Sequence, residues 1–236
     1  WHLRLRLHGD PGELRRKVFP LLTRRVEEAR TLGTLWRLEL DTYDREVGRY
    51  GGPQGMDVAE RLFRLDSELT LSLLRWVGAH GDSQLRWKLA FLGMDRLLSG
   101  LGLPLGARLE LARTQTEARR DGRVRSRIAL RFREERPVLL AILSGRFTLH
   151  PDVSSAFTRY SAGLIPIREE LARLQAEGGL NRSLEALGAD FVHMHLNRML
   201  RSSQMAQEAI LWEFLARTCE TMRMAPRSST MASNWA

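Results

Sequence analysis

Two short segments near the start of the chain alternate apolar and polar side chains. Residues 2–8 place leucines between histidines and arginines, and residues 35–40 alternate apolar residues with an arginine and a glutamate. Because successive side chains of a strand point to opposite faces, this pattern predicts two β-strands, each with one apolar face. Between them, Pro11 and the helical spacing of apolar residues over 13–32 predict a turn followed by an amphipathic helix.

The remainder of the chain shows mainly helical spacing of its apolar residues. Helices are predicted over residues 56–77, 83–101, 107–120, 123–135, 137–143, 154–177 and 183–222. We therefore expect an α+β fold, in which an antiparallel sheet built mainly from the N-terminal part is covered by a predominantly helical C-terminal part. Residues 1–224 are expected to form a single domain, and the small polar residues of 225–236 a flexible tail.

The composition narrows the class of protein. Hydrophobic residues make up 43% of the chain, which is too many for a disordered protein, and no apolar run reaches the ~18 residues needed to cross a bilayer. A single cysteine, Cys219, excludes a disulfide framework and a cysteine-based zinc cluster. No secretion signal opens the sequence, so we expect a cytoplasmic protein without a membrane partner.

The net charge of +9 is carried almost entirely by arginine, since Lys17 and Lys88 are the only lysines among 37 basic residues. Such a surplus attracts nucleic acid, phosphate or carboxylates, and the planar guanidinium pairs with the latter two through two hydrogen bonds. Most of these arginines are expected to line solvated helix faces. Only arginines with a special placement are therefore candidates for binding.

The first predicted strand carries two such arginines. Arg4 and Arg6 lie two residues apart, so their side chains are expected on one face, roughly 7 Å apart along the strand. Two parallel guanidinium groups make a clamp for a carboxylate or a phosphate. The alternative is the solvent face of an edge strand, where charges discourage aggregation.

A polar loop after the second predicted strand is the next candidate. Residues 41–52 are rich in charged and aromatic side chains, among them Tyr43, Arg45, Arg49 and Tyr50, and end in a glycine pair. Loops that follow strands often carry binding or catalytic residues. The alternative is a capped turn held by local ion pairs.

Two histidines on the last predicted helix form the third candidate. His193 and Asn197 are four residues apart and share a helix face, and His195 and Arg198 form a neighbouring pair. A histidine there can act as a general acid or base, or it can be a satisfied core residue. The two rings point roughly 200° apart around the helix, so they do not share a metal ion. No nucleotide-binding or metal-binding motif occurs, and we expect no cofactor and no metal.

Taken together, the segments HLRLR (2–6), DTYDREVGRYGG (41–52) and HMHLNR (193–198) resemble one protein family. In this order and approximate spacing they are similar to the C-terminal domain of lantibiotic dehydratases and its stand-alone relatives, the thiopeptide-type bacteriocin biosynthesis proteins. The resemblance covers almost the whole chain. It implies an enzyme that modifies a ribosomally made precursor peptide with a leader.

The resemblance implies two reactions. In the first, a separate glutamyl-tRNA-dependent protein has glutamylated a Ser or Thr of the precursor, and this enzyme eliminates glutamate to leave dehydroalanine or dehydrobutyrine. In the second, a thiopeptide pyridine synthase joins two dehydroalanines by a formal aza-[4+2] cycloaddition, closing a macrocycle and releasing the leader. A non-catalytic peptide- or tRNA-binding partner is a third alternative. The oligomeric state stays open, with a homodimer among the alternatives.

The resemblance also implies roles for particular residues. Arg4, Arg6 and Arg45 match arginines that stabilise the developing enolate and the departing carboxylates, and either His193 or His195 is the catalytic histidine. His193 has the better geometry, because Asn197 and Asp190 lie one turn to either side of it. The expected substrate contacts come from Tyr43, Arg49, Tyr50, Asn197 and Arg198.

Elimination is favoured over cycloaddition because the chain has few tyrosine hydroxyl groups. The resemblance implies that pyridine synthases depend more on hydroxyl-bearing side chains than on the arginine and histidine set. This chain contains three tyrosines, Tyr43, Tyr50 and Tyr160, and none lies near the late histidines in the sequence.

Overall fold

Most of the described chain is helical. The computed structural model describes residues 4–80, 83–118 and 125–224. Its helices are α1 (Pro11–Glu13), a π-helical turn (Leu14–Val18), α2 (Phe19–Thr31), α3 (Pro53–His80), α4 (Ser83–Gly100), α5 (Leu105–Ala118), α6 (Arg125–Leu143), α7 (Pro151–Ala176), α8 (Leu184–Met199) and α9 (Gln204–Met224). Among these described helices, none has an apolar stretch long enough to span a bilayer.

The predicted α+β fold with an antiparallel sheet is wrong. No residue in the described ranges belongs to a strand, and the fold is all-α. Residues 4–8 and 35–40 lack regular secondary structure, and large apolar side chains in them are exposed, such as Trp36 at 81% and Leu40 at 71%. Alternation gives a segment one apolar face, but a strand also needs a neighbouring backbone to complete its hydrogen bonds. Within the described ranges, no backbone hydrogen bond joins these two segments.

The helices differ from the predicted ones mainly at two places, between the predicted helices 123–135 and 137–143 and within the predicted helix 183–222. Helix α6 runs through Pro137 and α7 through Pro166, although proline removes one backbone hydrogen bond from a helix. Buried residues flank both prolines, so packing holds each helix together across its proline. In contrast, the predicted helix 183–222 is interrupted at residues 200–203, where Ser203 has a positive φ of 48°.

The described residues fall into two compact units, one extending up to Arg45 and the other beginning at Glu46. In the first unit, α1 begins at Pro11 as predicted, and the carboxylate of Asp10 caps it by accepting a 2.9 Å hydrogen bond from the amide of Glu13. The single domain over residues 1–224 stays a prediction. The predicted flexible tail at 225–236 lies outside the described residues.

Helix α4 lies at the centre of the second unit. Its residues 89–95 are all buried, as expected for a helix that is surrounded on every side. Helices α7 and α8 pack against it, α3 packs against α7 and α8, and α9 packs against α5 and α6. This arrangement fully buries large aromatic side chains such as Trp212 and Tyr160 and packs α8 against both α3 and α4.

The glycine pair of the polar loop shapes the approach to α3. Gly51 and Gly52 adopt φ values of 88° and 102°, which other residues rarely reach. A side chain at Gly55 would collide with the carbonyl of Tyr50, so the loop can fold against the first turn of α3 only with glycine there. The carbonyl of Gly51 accepts a 3.1 Å hydrogen bond from the amide of Asn181. The loop is thereby joined to the segment that precedes α8.

The close contact of α4 with α8 gives a first prediction. A Cβ atom at Gly93 would lie well inside van der Waals distance of the His195 ring. We expect Gly93→Ala to lower the free energy of unfolding by about 1–3 kcal/mol, because the packed ring cannot move aside. Urea denaturation measures this. Gly78→Ala, at a helical glycine with open space around it, should instead raise stability by about 0.5–1 kcal/mol. Equal stability of the two variants would contradict the packing described.

Candidate functional site

Helix α8 has one buried face and one half-exposed face. Its N-terminus is capped by Ser183, whose hydroxyl accepts a hydrogen bond from the amide of Ala186. The half-exposed face consists of Ala189, Asp190, His193, Met194, Asn197 and Arg198, and we call it the α8 stripe. Three of the predicted site residues, His193, Asn197 and Arg198, therefore lie on it.

His193 sits between a buried carboxylate and an amide. Its Nδ1 lies 2.8 Å from Oε2 of Glu208 on α9, and its Nε2 lies 2.9 Å from Nδ2 of Asn197. The side chain of His193 is 31% exposed, whereas that of Glu208 is 2% exposed. A carboxylate accepts and an amide nitrogen donates, so the ring carries its proton on Nδ1 and offers a lone pair at Nε2. The indole of Trp212 donates a 3.2 Å hydrogen bond to the other oxygen of Glu208.

His195 lies on the opposite, buried face of α8. Its side chain is fully buried, with Nδ1 2.6 Å from Oδ1 of Asp66 on α3 and Nε2 3.2 Å from the carbonyl of Ala90 on α4. Both partners are acceptors, so the ring satisfies them together only when it carries two protons. His195 therefore joins three helices, and no face of it is open to a substrate.

Asp66 is the centre of a buried charged group. Its carboxylate also accepts a 2.9 Å hydrogen bond from Arg198 and a 3.5 Å contact from the hydroxyl of Tyr160. Burial raises the pKa of Asp66, but the charges and hydrogen bonds of His195 and Arg198 outweigh it, so the pKa falls below its usual value. Burial and the Asp66 charge raise the pKa of the Tyr160 hydroxyl. We call Asp66, His195, Arg198 and Tyr160 the Asp66 cluster.

Arg49 connects the polar loop to the α8 stripe. Its Nε donates a 2.9 Å hydrogen bond to Asp190, and its Nη1 donates one of 3.0 Å to Glu46. Arg182 donates a 2.8 Å hydrogen bond to the carbonyl of Arg49 and lies 2.9 Å from the second oxygen of Asp190, as an ion pair. Burial lowers the pKa of Arg49, but its hydrogen bonds to the two carboxylates outweigh this and raise it. Arg49 is therefore a fixed cation beside α8.

Tyr50 is a packing residue beneath that arginine. Its ring stacks on Phe191 at a centroid distance of 5.7 Å and meets the edge of Phe63 at 5.1 Å. The side chain is only 2% exposed, and burial raises the pKa of its hydroxyl to about 12. The guanidinium groups of Arg49 and Arg198 lie over the rings of Tyr50 and Phe63, respectively. The predicted substrate contact at Tyr50 is thus a buried ring.

The other predicted residues belong to the N-terminal unit. Arg4 is exposed, and the guanidinium of Arg6 lies 5.0 Å from the centre of the Tyr43 ring. That contact is a cation–π pair within the unit. Arg45 is exposed as well, and His2 lies outside the described residues.

Four residues near α8 were missed by the sequence analysis: Glu46, Asp66, Arg182 and Glu208. Asp66 does carry a signal, because it interrupts the apolar face of α3 between Leu62 and Leu69. Glu208 interrupts the apolar face of α9 in the same way, one turn before Trp212. A single acidic residue within an apolar helical stripe indicates a buried partner of opposite charge. In the described ranges, no group of three potential ligand side chains is placed to hold a metal ion.

Comparison with known proteins identifies a family whose sequence pattern this chain matches. Residues 1–219 match the family described as lantibiotic biosynthesis dehydratase, C-terminal. Over 74 residues, which are 31% of this chain, the sequence is 35% identical to the subtilin biosynthesis protein SpaB of Bacillus subtilis. That match spans 7% of the Bacillus protein, so this chain covers a small part of its relative. No solved structure matches the chain.

The Asp66 cluster gives a prediction about stability. We expect Asp66→Asn to lower the free energy of unfolding at neutral pH by about 3–5 kcal/mol, because it leaves the buried cationic partners uncompensated. The folded pKa of Asp66 lies below 3.8, so its contribution is present above that pH and is lost as the pH falls through the folded value.

Urea denaturation at several pH values measures this difference. The difference in the free energy of unfolding between the wild type and Asp66→Asn should become smaller as the pH is lowered below about 4. Glu68→Gln, on the exposed part of the same helix, should change stability by less than about 0.5 kcal/mol. If the wild type and Asp66→Asn differ little in the free energy of unfolding at neutral pH, or differ more in acid, the role given to Asp66 is refuted.

Proposed function

The chain belongs to the family of lantibiotic biosynthesis dehydratase C-terminal domains, and we propose that it eliminates glutamate from a glutamylated precursor peptide. Membership confirms the resemblance carried by the three motifs, and it supports a peptide-modifying role in lantibiotic biosynthesis. The particular reaction is our proposal. The observation that carries it is the half-exposed His193, held between Glu208 and Asn197 on the stripe whose Asp190 binds the fixed cation Arg49.

The proposed reaction needs a base, an acid and cations. A base removes the Cα proton of the glutamylated Ser or Thr, and the bond between Cβ and the ester oxygen breaks. Glutamate leaves with the bonding electrons, and the Cα–Cβ double bond of dehydroalanine or dehydrobutyrine forms. Negative charge develops on the peptide carbonyl and on the leaving carboxylate, so donors and cations around them lower the barrier. No cofactor takes part in this sequence of bond changes.

Of the two histidines, we assign the proton transfer to His193. The lone pair at Nε2 and the exposed part of its ring support this role, since an acid or base must reach the atom that it serves. His195 is buried and holds α3 and α4 with both ring nitrogens, which supports a structural role. In our proposal Asn197 orients the His193 ring from the same stripe.

The proposed cations are arginines. Arg4, Arg6 and Arg45 keep the roles implied by the family motifs, with Tyr43 beside Arg6. We add Arg49, because its contact with Asp190 places a guanidinium at the stripe that carries His193. Arg198 and Asn197 are proposed substrate contacts on the same stripe. Tyr50 contributes by packing beneath Arg49 rather than through a direct contact.

The proposal implies a precursor peptide with a leader as substrate and a separate glutamyl-tRNA-dependent protein that supplies the ester. The pyridine synthase is the competing reaction of the family. Two of the three tyrosines, Tyr50 and Tyr160, are buried, and this supports elimination over a reaction that depends on hydroxyl groups. A peptide- or tRNA-binding partner without turnover is the remaining alternative.

The proposed acid–base role of His193 is tested with a synthetic peptide that carries one O-glutamyl serine. We expect the wild type to release glutamate and leave dehydroalanine, as read by mass spectrometry. We expect His193→Ala to slow this about 100- to 10,000-fold, the usual contribution of general acid–base catalysis. Its melting temperature should also fall, because the buried Glu208 loses a donor, so activity is compared well below that temperature. His80→Ala, at an exposed histidine on α3, serves as the control and should retain full activity.

Three outcomes would contradict the proposal. Full elimination by His193→Ala would remove the histidine from the chemistry. An unchanged glutamyl peptide, together with macrocycle formation from a peptide that already contains two dehydroalanines, would assign the pyridine synthase reaction. Salt-sensitive tRNA binding with no turnover of either peptide would leave the non-catalytic partner.

A second variant tests the fixed cation. We expect Arg49→Lys to lower kcat/KM for the same peptide about 100-fold, because lysine keeps the charge but not the forked geometry that binds Asp190 and Glu46. Arg113→Lys, on the exposed face of α5, is the matched control and should behave like the wild type. If the two lysine variants are equally active, Arg49 does not belong to the site.

A further inference from the structure

We propose that Glu208 and Trp212 of α9 are positioning residues that hold the His193 ring in one tautomer and so make Nε2 the atom that exchanges the proton. The inference rests on the proposed function in taking His193 as the acid–base group. It goes beyond the family motifs, because both residues lie outside the three segments that carry the resemblance. Neither residue touches the substrate in this proposal.

Glu208 is buried, and hydrogen bonds satisfy its carboxylate. Its side chain is 2% exposed, yet both carboxylate oxygens have donors: Oε2 accepts from Nδ1 of His193 at 2.8 Å, and Oε1 accepts from the indole of Trp212 at 3.2 Å. A buried carboxylate is costly unless such partners satisfy it. Trp212 is fully buried and lies one helical turn from Glu208, so it fixes the carboxylate from within α9.

The carboxylate of Glu208 selects one tautomer of the His193 ring. A neutral imidazole carries one proton, and the carboxylate at Nδ1 attracts that proton because it can only accept. Nε2 is then left as the basic nitrogen, and the 2.9 Å contact with Nδ2 of Asn197 agrees with a lone pair there. Since Nδ1 faces a buried carboxylate, we assign the exchange of the proton to Nε2 of this partly exposed side chain.

Asn197 and Glu208 can bind both the neutral and the doubly protonated His193 ring. When Nε2 gains a proton, rotation of the Asn197 amide turns its oxygen toward the ring, so that the amide accepts instead of donating. The negative charge of Glu208 stabilises the doubly protonated ring in the same position. The ring can therefore take up and return a proton without leaving its place on the α8 stripe.

A turn between α8 and α9 brings Glu208 to the His193 ring. Arg86 of α4 donates a hydrogen bond to the carbonyl of Met199, the last residue of α8. The chain then turns at residues 200–203, with Ser203 at a positive φ, before α9 begins at Gln204. This turn brings Glu208 back to a ring that lies fifteen residues earlier in the chain.

The tautomer is measured first, without any substrate. Nitrogen NMR of the wild-type chain, labelled at the histidine rings, should show the neutral His193 ring with its proton on Nδ1. In Glu208→Gln the Nδ1 tautomer should lose its dominance, because an amide can either donate or accept. Glu213→Gln, at a carboxylate of α9 that pairs with Arg217, is the matched control and should leave the His193 signals unchanged.

The kinetic readout uses the synthetic O-glutamyl serine peptide. We expect Glu208→Gln to lower kcat about 100-fold with little change in KM, since a ring in the wrong tautomer loses acid–base catalysis rather than binding. Trp212→Phe should give a smaller loss of kcat and a partial loss of the tautomer preference. Trp87→Phe is its control, because the buried Trp87 indole nitrogen donates no hydrogen bond within the described residues.

The outcomes separate this inference from the proposed function. A wild-type ring with its proton on Nε2 would overturn the positioning role, even if elimination proceeds and even if Glu208→Gln fails to fold. Equal kcat for Glu208→Gln and Glu213→Gln would overturn it as well. An Nδ1 tautomer that depends on Glu208, in a chain that does not eliminate glutamate, would support the positioning of the ring and refute the reaction assigned to it.

Discussion

The placement of α8 depends on the ionic contact between Asp66 and the pair His195 and Arg198. Asp66 is fully buried, and its carboxylate binds both cations of α8 while also accepting from Tyr160. His195 extends the contact to α4 through the carbonyl of Ala90. A buried charge of this kind is strongly destabilising when one partner is removed, so the three helices are held in one relative position. The helix that carries the candidate site is therefore rigid before any substrate arrives.

A rigid α8 divides its two histidines between two tasks. His195 faces inward, and both of its ring nitrogens form hydrogen bonds to α3 and α4. His193 lies on the half-exposed stripe. The same stripe holds Asp190, which fixes the guanidinium of Arg49 beside it. Glu208 binds the His193 ring at Nδ1, and Asn197 contacts the other nitrogen, Nε2, from the same stripe. Acid–base chemistry needs a ring that is held in place and a side chain that is not fully buried.

The sequence predicts the helices of this fold better than its other parts. Helical spacing of apolar residues marks the start of α8, and the glycine pair marks the loop before α3. The sheet is wrong because alternation in 2–8 and 35–40 reports two faces but not a bonding partner. The turn at 200–203 contains neither glycine nor proline, so periodicity merges α8 and α9.

That merging conceals the main pair of the site. Within one continuous helix, His193 and Glu208 would lie about 22 Å apart along the axis, so no sequence argument brings them together. The turn between the two helices makes the contact. In contrast, the i and i+4 spacing of His193 and Asn197 is local, and their predicted shared face is present. Local pairs could thus be predicted, while pairs that depend on a chain reversal or on burial could not.

The central claim is that His193, on the exposed stripe of α8, meets the substrate, whereas His195, on the buried face, only holds the helix. The most direct test is nitrogen NMR of the labelled histidine rings, titrated with a peptide in which the ester oxygen of O-glutamyl serine is replaced by NH. This peptide binds without reacting. The account predicts a saturable shift of the His193 signals and none of the His195 signals. Unshifted His193 signals at saturating peptide, or equal shifts of both rings, would contradict it.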